Sequence, residues 1–266
     1  QKIICSHYKT HGRKLPWRKT RDPYKILVSE IMLQQTQVYR VLPKYAEFIK
    51  RFLTFRALAK APLPAVLKAW QGLGYNRRAL ALKRIAEIVE KEYKGKLPKL
   101  PALLEKLPCI GPATAASISA FAWNTPSVFI ETNIRTVFIH FFFKNKKVVR
   151  DEEILKLVRE TLGRKNPREW YWALMDYGAM LKSNGAKYNS RSAHYTKQSK
   201  FKGSDRQVRG AILRALLKQK EASSANIRKE MAIPNERLSP ILNALIREGF
   251  IKKQKGSYYL QTTYIQ

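Results

Sequence analysis

The amino-acid sequence predicts a mainly α fold: a bundle of many short helices, followed by a smaller helical module that ends in a β-hairpin. Apolar residues recur at steps of three and four along most of the chain before Lys182, and strand-like alternation is scarce there. Proline residues stand at places where helices would begin, namely Pro23, Pro43, Pro64, Pro98, Pro112 and Pro167. We therefore expect residues 1–181 to form one helical domain.

A basic segment follows this domain. Residues 182–202 carry six lysine and arginine side chains and no acid, and they are rich in Asn and Ser. Such a composition is typical of a loop, and its positive charge suits contact with phosphate groups. We expect residues 182–203 to be a basic linker that lies on phosphate.

A second module is predicted over residues 204–266. Its helical segments are 206–218, a short one capped by Ser223 or Ser224 that ends near Met231, and one from Asn235 to Glu248. Two short strands around Lys255–Gly256 then form a hairpin. Three helices followed by a hairpin is the order of a winged helix-turn-helix, whose third helix reads DNA. A generic three-helix cap is the alternative interpretation.

The charge of the chain points to a polyanionic partner. Among 266 residues there are 52 Lys and Arg against 19 Asp and Glu, a net charge of +33. So much charge of one sign repels itself in a compact chain. Nucleic acid is the commonest partner that neutralises it, with binding driven by counterion release. A solubility adaptation or an anionic membrane surface are the alternatives.

Neither a membrane span nor a secretory signal is indicated. The longest dense apolar stretch, 137–143, falls short of the ~18 residues that cross a bilayer, and the N-terminus has no apolar signal segment. Cys5 and Cys109 lie far apart and lack metal-ligand spacing. We expect a cytoplasmic protein with no metal and no cofactor.

Glu30 is the first candidate for chemistry. It is a carboxylate inside an otherwise apolar helical run, and two amides, Gln34 and Gln35, follow one helical turn later. Burial would raise the pKa of Glu30, so that it could act as a general acid at neutral pH. The alternative is a solvated Glu30, or one paired with Arg18 or Arg21.

Two further segments stand out downstream. The first, 107–121, has a Leu-Pro-x-x-Gly-Pro pattern that predicts a tight hairpin leading into a helix, whose exposed N–H groups attract phosphate. In the second, 127–143, Glu131 lies between apolar residues with Asn133 and Arg135 close by. A buried carboxylate needs a partner, and Asn133 could supply it.

Taken together, six segments resemble one known family. They are 15–18 (LPWR), 22–24 (DPY), 28–38 (VSEIMLQQTQV), 72–75 (GLGY), 107–115 (LPCIGPATA) and 174–180 (LMDYGAM). In this order they are similar to the adenine DNA glycosylases, the MutY-like family of the helix-hairpin-helix DNA glycosylase superfamily. The resemblance covers about residues 3–181, and the run 29–36 is its most specific part.

The resemblance implies a fold and a chemistry. Two helical subdomains would clasp duplex DNA, and the target nucleotide would be flipped out of the stack. Glu30 matches the general acid, which protonates the leaving base and later positions water. Glu131 falls where the family has the carboxylate that stabilises the positively charged sugar, a division of labour shared with glycosidases.

Further residues are expected to support these two acids. Asn133 is expected in the catalytic site as the partner of Glu131. The expected DNA contacts are Arg18, Gln34, Gln35, Tyr75, Asn76, Arg77, Gly111, Thr114, Arg135, Lys182 and Arg191.

This sequence departs from the family pattern at four places. The second acid is Glu131, where the family has Asp. The position of the Schiff-base lysine of bifunctional relatives, and of a Tyr or Ser in adenine glycosylases, is Ala113. Residues 181–201 contain none of the four cysteines that hold an iron–sulfur cluster, and we expect Tyr188, His194, Tyr195 and Phe201 to pack there instead. A winged helix replaces the usual domain of mixed α/β type.

These observations predict a monofunctional DNA glycosylase without lyase activity, cytoplasmic and associated with the nucleoid, which acts as a monomer on double-stranded DNA. Adenine opposite guanine or 8-oxoguanine is the first-choice substrate. Mispaired thymine or uracil, or another modified base, is the alternative substrate. A DNA-binding damage sensor or regulator without catalysis is the alternative of a different class.

Overall fold

The computed structural model describes residues 1–163 and 165–262, and over these residues the protein is mainly helical, as predicted. In chain order the helices are α1 (Lys2–His11), α2 (Pro23–Leu33), α3 (Val38–Arg51), α4 (Phe55–Lys60), α5 (Leu63–Trp70), α6 (Arg77–Glu92), α7 (Pro101–Leu104), α8 (Pro112–Trp123), α9 (Thr132–Phe142), α10 (Asp151–Thr161), α11 (Pro167–Ser183), α12 (Asp205–Gln219), α13 (Ser224–Met231) and α14 (Asn235–Arg247). The strands are β1 (Glu221–Ser223), β2 (Ile251–Gln254) and β3 (Ser257–Leu260).

The described chain divides into two compact units, and each is assembled from two separate stretches. Unit 1 comprises Gln1–Ile31 and Leu97–Lys197, and unit 2 comprises Met32–Lys96 and the described residues from Gln198 onward. The three segments expected from the sequence, 1–181, 182–203 and 204–266, follow the chain rather than the packing, and that division stays a prediction. None of the helices within 1–163 and 165–262 combines the length and apolar character needed to cross a membrane.

Helix α11 is the centre of unit 1, where it packs against α1, α8 and α9. Helix α9 presents Ile134, Val137 and Phe138 to the core, a spacing of three and four residues that places them on one face. Gly178 permits the closest contact: a Cβ atom there would lie 2.3 Å from the carbonyl oxygen of Asn133. A side chain at position 178 would therefore push α11 away from the start of α9.

A buried ion pair ties the segment before α2 to α11. Asp176 is 2% exposed and accepts hydrogen bonds from Nε of Arg13 at 2.6 Å and from Nη1 and Nη2 of Arg18, both at 2.8 Å. Burial works to raise the pKa of Asp176, but the two arginines outweigh it and hold the pKa below its ordinary value. Asp176 therefore remains charged at neutral pH.

Unit 2 has a helical part and a part that contains the sheet. Helix α6 packs against α4 and α5, while α12 packs against α13, α14, β1 and β3. The three antiparallel strands lie in the order β1-β3-β2. The element order helix, strand, helix, helix, hairpin is that of a winged helix-turn-helix. The hairpin turn at Lys255 (φ 45°) and Gly256 (φ 79°) is the predicted one.

Several local expectations are confirmed or corrected. Ser223 caps α13, because its Oγ accepts a hydrogen bond from the N–H of Asn226 at 3.2 Å, as predicted. Pro43 lies inside α3 rather than at its start. Helix α7 begins at Pro101, three residues after Pro98. Asn235 is the first residue of α14, not its cap.

The aromatic packing expected in the basic segment is only partly present. Tyr188 packs against His140, with 5.1 Å between the ring centroids. Tyr195 is 48% exposed and Phe201 is 60% exposed, so neither replaces a missing core. Strand β1 was not predicted, because its three residues are too short to show an alternating pattern.

Replacement of Asp176 should test the buried ion pair. Asp176→Asn would leave two arginines without their counter-charge, and we expect it to lower the free energy of unfolding by about 3 kcal/mol. Lys25→Gln is the control in the same unit, because it breaks an exposed 3.9 Å pair with Asp22 and should cost less than about 1 kcal/mol. Urea unfolding of both variants measures the difference, and equal losses would contradict a dominant role for the buried pair.

Candidate functional site

Glu30 lies on α2 among buried apolar neighbours of the same helix. Leu27, Val28 and Ile31 are fully buried, whereas Glu30 itself is partly buried. Its Oε2 accepts a hydrogen bond of 2.6 Å from the hydroxyl of Ser117 on α8. The solvated interpretation of Glu30 is therefore wrong, and so is a direct pair with Arg18, because Arg18 is bound to Asp176.

The environment of Glu30 favours its protonated form. Burial raises the pKa of Glu30 from 4.5 to about 7. The hydrogen bond from Ser117 works in the opposite direction, the negative charge of Glu131 raises the pKa further, and the charge of Arg18 lowers it. A carboxyl group with this pKa is partly protonated at neutral pH and can both give and take a proton.

Glu131 is held by the start of α9. It occupies the cap position, where its Oε1 accepts hydrogen bonds from the N–H groups of Asn133 at 2.7 Å and Ile134 at 2.9 Å. Its Oε2 accepts a third bond, of 3.1 Å, from the side-chain amide of Asn133. Burial raises the pKa of Glu131 and these bonds oppose it. The extra methylene relative to an aspartate is thus accommodated by folding the side chain back onto the helix terminus.

Lys182 belongs to the same cluster. It lies on α11, and its Nζ donates a 2.8 Å hydrogen bond to Oδ1 of Asn133. Burial lowers the pKa of Lys182, and the negative charge of Glu131 partly restores it. Glu131, Asn133 and Lys182 therefore form one connected group. The contact between Glu131 and Asn133 is the expected one, whereas the sequence analysis did not predict that Lys182 joins them.

The hairpin before α8 has the predicted shape. Gly111 is the cap residue, Pro112 is the first residue of the helix, and Gly111, Pro112 and Ala113 are exposed. Thr114 is partly buried. Phosphate binding by the N–H groups of Gly111 and Thr114 stays a prediction.

Three of the arginines expected at DNA have protein partners in unit 1. Arg18 binds Asp176 with a side chain only 6% exposed, which favours a structural role over a DNA contact. Arg135 binds both carboxylate oxygens of Asp151, at 2.8 and 2.7 Å. Arg191 donates to the carbonyl oxygens of Phe143 and Lys146, which anchors the basic segment. Paired arginines of this kind are weaker candidates for phosphate contact.

Arg78 is a site residue that the sequence analysis missed. Its guanidinium is buried and binds the carbonyl oxygens of Met32, Gln34, Leu73 and Gly74 and the hydroxyl of Thr36. It thereby joins two segments of unit 2, the end of α2 and the loop before α6. No one-dimensional signal distinguishes it, because an arginine on an amphipathic helix is usually solvated.

Four of the residues expected to contact DNA line a basic cleft in unit 2. The cleft has a volume of about 800 Å³ and includes Gln35, Tyr75, Asn76 and Arg77. Helix α12 contributes Arg206, whose Nη1 donates a 2.6 Å hydrogen bond to the hydroxyl of Tyr75. The charged residues that line it are Arg40, Arg77, Arg206, Arg209, Arg214 and Asp205.

Glu248 neutralises part of that charge. Its carboxylate binds Arg77 at 2.6 Å and also accepts from Arg209. Partial burial works to raise the pKa of Glu248, but the two arginines outweigh it and lower the pKa. Arg77 is thus bound to the residue that ends α14, and its expected DNA contact stays a prediction.

The residues that the structure describes do not fit a cluster of iron and sulfur. Such clusters require four thiolates, and the chain contains only Cys5 and Cys109. Within 1–163 and 165–262, no three His, Cys, Asp or Glu side chains come together in a way that could hold a metal ion.

Glu30→Gln should change the pH dependence of stability. Because the pKa of Glu30 is raised on folding to about 7, the native carboxyl destabilises the fold increasingly as the pH rises from about 4.5 to 7, and by a constant amount above that range. We expect the variant to match the unmodified protein at pH 4.5 and to exceed it by up to about 3 kcal/mol at pH 8. Urea unfolding across this range measures the effect, with Glu105→Gln as the exposed control. A pH-independent difference would contradict the raised pKa.

Comparison with known proteins agrees with this geometry. Residues 28–164 match the family described as HhH-GPD superfamily base excision DNA repair protein. The adenine DNA glycosylase of Buchnera aphidicola subsp. Baizongia pistaciae is 40% identical over 188 residues, which cover 68% of this chain and 53% of that protein. The chain thus spans about half the length of its Buchnera relatives.

Two further similarities extend over more of the related protein. The adenine DNA glycosylase of Mycobacterium tuberculosis (strain CDC 1551 / Oshkosh) is 32% identical over 236 residues, which cover 80% of this chain and 77% of the relative. The solved structure of a thermostable thymine-DNA glycosylase is 25% identical with a TM-score of 0.62, and the match covers 73% of this chain and 94% of that one. The chain belongs to the HhH-GPD superfamily of base excision DNA repair proteins.

Proposed function

We propose that the protein is a DNA glycosylase that hydrolyses the N-glycosidic bond of a base flipped out of duplex DNA. The observation that carries the proposal is the pair of partly buried, hydrogen-bonded carboxyl groups in unit 1, Glu30 and Glu131, whose pKa values burial raises, that of Glu30 to about 7. Two acids with perturbed pKa values fit the two tasks of glycosidic bond hydrolysis. Family membership supports the same chemistry.

The proposed reaction uses each acid once. Protonated Glu30 donates its proton to the leaving base as the bond between C1′ and the base nitrogen breaks, and the bonding electron pair stays with the base. The sugar becomes positively charged, and the carboxylate of Glu131, fixed by its helix cap, stabilises that charge. Water then adds to C1′ and returns a proton to Glu30.

We propose that the reaction stops at this point, without cleavage of the DNA backbone. An imine-forming lyase needs an unprotonated amine at the sugar, and Ala113 supplies none at the position where bifunctional relatives carry their lysine. The hydrogen bond from Lys182 to Asn133 supports a positioning role for that amine. The enzyme would act as a monomer on the nucleoid, within the cytoplasm.

Adenine opposite guanine or 8-oxoguanine is our first-choice substrate. The adenine specificity named for two of the related proteins supports it. Mispaired thymine or uracil is the second candidate, because the structural neighbour with a TM-score of 0.62 is a thymine-DNA glycosylase. A sensor without catalysis is the third, motivated by Glu131 and Ala113, which differ from the family pattern.

We further propose that the basic cleft of unit 2 contacts the DNA backbone. Five arginines and one aspartate line it, and arginine forks match phosphate oxygens well. Tyr75 and Asn76 stand at the same cleft and would face the bases. The third helix of the winged module, α14, remains the predicted reader of a groove.

Glu30→Gln should separate the enzyme from the sensor. The amide keeps the shape of the side chain but has no acidic proton, so release of free base should fall by at least about a hundredfold while DNA affinity stays nearly unchanged. The measurement is single-turnover base release from a panel of duplexes: adenine opposite guanine, 8-oxoguanine or cytosine, and thymine or uracil opposite guanine.

The panel also decides the substrate. Preference for adenine would support the first choice, and preference for thymine or uracil the second. Unmodified protein that binds every duplex but frees no base would exclude the enzyme and leave the sensor.

Arg214→Gln should test the cleft as a phosphate site. Arg214 is exposed and lines the cleft. Its replacement should weaken DNA binding by a similar factor for every sequence and reduce the slope of log K against log salt concentration by about 1.

The control is Lys91→Gln, which removes the same charge from an exposed residue of α6. Lys91 lies fourteen residues beyond Arg77 on that helix, a distance of roughly 21 Å along the axis. Equal slopes for the two variants would show that the net charge matters and the cleft does not.

A further inference from the structure

Ser117 occupies an unusual position for a hydroxyl group. It lies in the middle of α8, is 4% exposed, and is flanked by the buried residues Ala116 and Ile118. Its Oγ is 2.6 Å from Oε2 of Glu30 and 3.0 Å from the carbonyl oxygen of Thr114. The three oxygens therefore form a short chain that ends inside the helix.

One proton cannot serve both neighbours of Ser117. A hydroxyl has one donor and two acceptor sites, and the shorter contact is the one to Glu30. When Glu30 is a carboxylate, the proton of Ser117 points to Oε2. A hydroxyl that donates to an ionised carboxylate forms a stronger bond than one that donates to a neutral acid.

The hydrogen bond also distinguishes the two oxygens of Glu30. Among the described residues, the hydrogen bond given for the carboxyl group of Glu30 is the one from Ser117 to Oε2. Oε1 is then the oxygen that carries the transferable proton. As this proton leaves, negative charge develops on the carboxyl group, and the bond from Ser117 strengthens at that moment.

We propose that Ser117 is the positioning residue of the general acid: it fixes Oε2 of Glu30, directs the acidic proton to Oε1, and stabilises the carboxylate left after proton transfer. This inference rests on the proposed function and deepens it. The charged groups that also act on Glu30 are Glu131 at the start of α9 and Arg18 before α2. Neither is hydrogen-bonded to Glu30 in the part of the chain that the structure describes.

The direction of the effect follows from the chemistry. Ser117 stabilises the charged form, and its hydrogen bond lowers the pKa of Glu30 against the effect of burial. Ser117→Ala should therefore move the alkaline limb of the pH–rate profile upward by roughly one to two pH units. The single-turnover rate at pH 7 should fall about tenfold, because a weaker acid gives up its proton less readily. DNA affinity should stay the same.

Ser119→Ala is the matched control. Ser119 lies on the same helix and is fully buried, and its hydroxyl donates to the carbonyl oxygen of Lys99 at 2.9 Å instead of to Glu30. Both substitutions remove one buried hydroxyl from α8, so a loss of stability should be common to both. A shift in the pH profile should belong to Ser117→Ala alone.

A second measurement does not depend on catalysis. The stability gained through Glu30→Gln is compared between the unmodified chain and the Ser117→Ala variant by urea unfolding from pH 4.5 to 9. The pH at which the gain appears should move upward in the Ser117→Ala background by the same one to two units.

The two measurements keep the failures apart. If no duplex yields free base, the proposed function fails, and the unfolding series still tests Ser117. The decisive quantity is the pH at which Glu30→Gln begins to stabilise the chain. If Ser117→Ala leaves this pH unchanged, or if Ser119→Ala shifts it equally, Ser117 is an ordinary packing residue and the inference is overturned.

Discussion

The buried charge of Asp176 is the interaction on which the rest of unit 1 depends. Asp176 binds Arg13 and Arg18, and these two ion pairs hold the segment that leads into α2 against the side of α11. Two residues later, Gly178 lets the start of α9 lie directly on the same helix. The segment that leads into the helix of Glu30 and the start of α9, which Glu131 caps, are therefore both held against α11.

Burial of two carboxyl groups in one unit is costly, and the structure meets this cost differently at each. Glu131 receives three hydrogen bonds at a helix terminus, where the helix dipole also favours negative charge. Glu30 lies within α2 and receives one bond, from Ser117. Burial raises the pKa of both; it is opposed at Glu131 by three hydrogen bonds and the charge of Lys182, and at Glu30 by one hydrogen bond and the charge of Arg18.

The features that could be predicted from the sequence alone are those that a short stretch of residues determines. A carboxylate in an apolar helix is visible in one dimension, and so are the hairpin at Lys255–Gly256 and the cap at Ser223. Partners distant along the chain leave no such trace: Ser117 looks like any small residue of a packed helix. The pairing of Arg18 with Asp176 joins positions 158 residues apart, and no local pattern indicates it.

Each compact unit is built from two stretches that are far apart in the chain, and this has a consequence for biosynthesis. Residues 32–96 leave the ribosome before α12 and the sheet that complete their unit, so the contacts of Tyr75 with Arg206 and of Arg77 with Glu248 can form only late in synthesis. Contacts of such long range also slow folding, because the entropy of closing a long loop is lost before the contacts that compensate for it can form. Unit 2 therefore reaches its full set of contacts only when nearly the whole chain has been made.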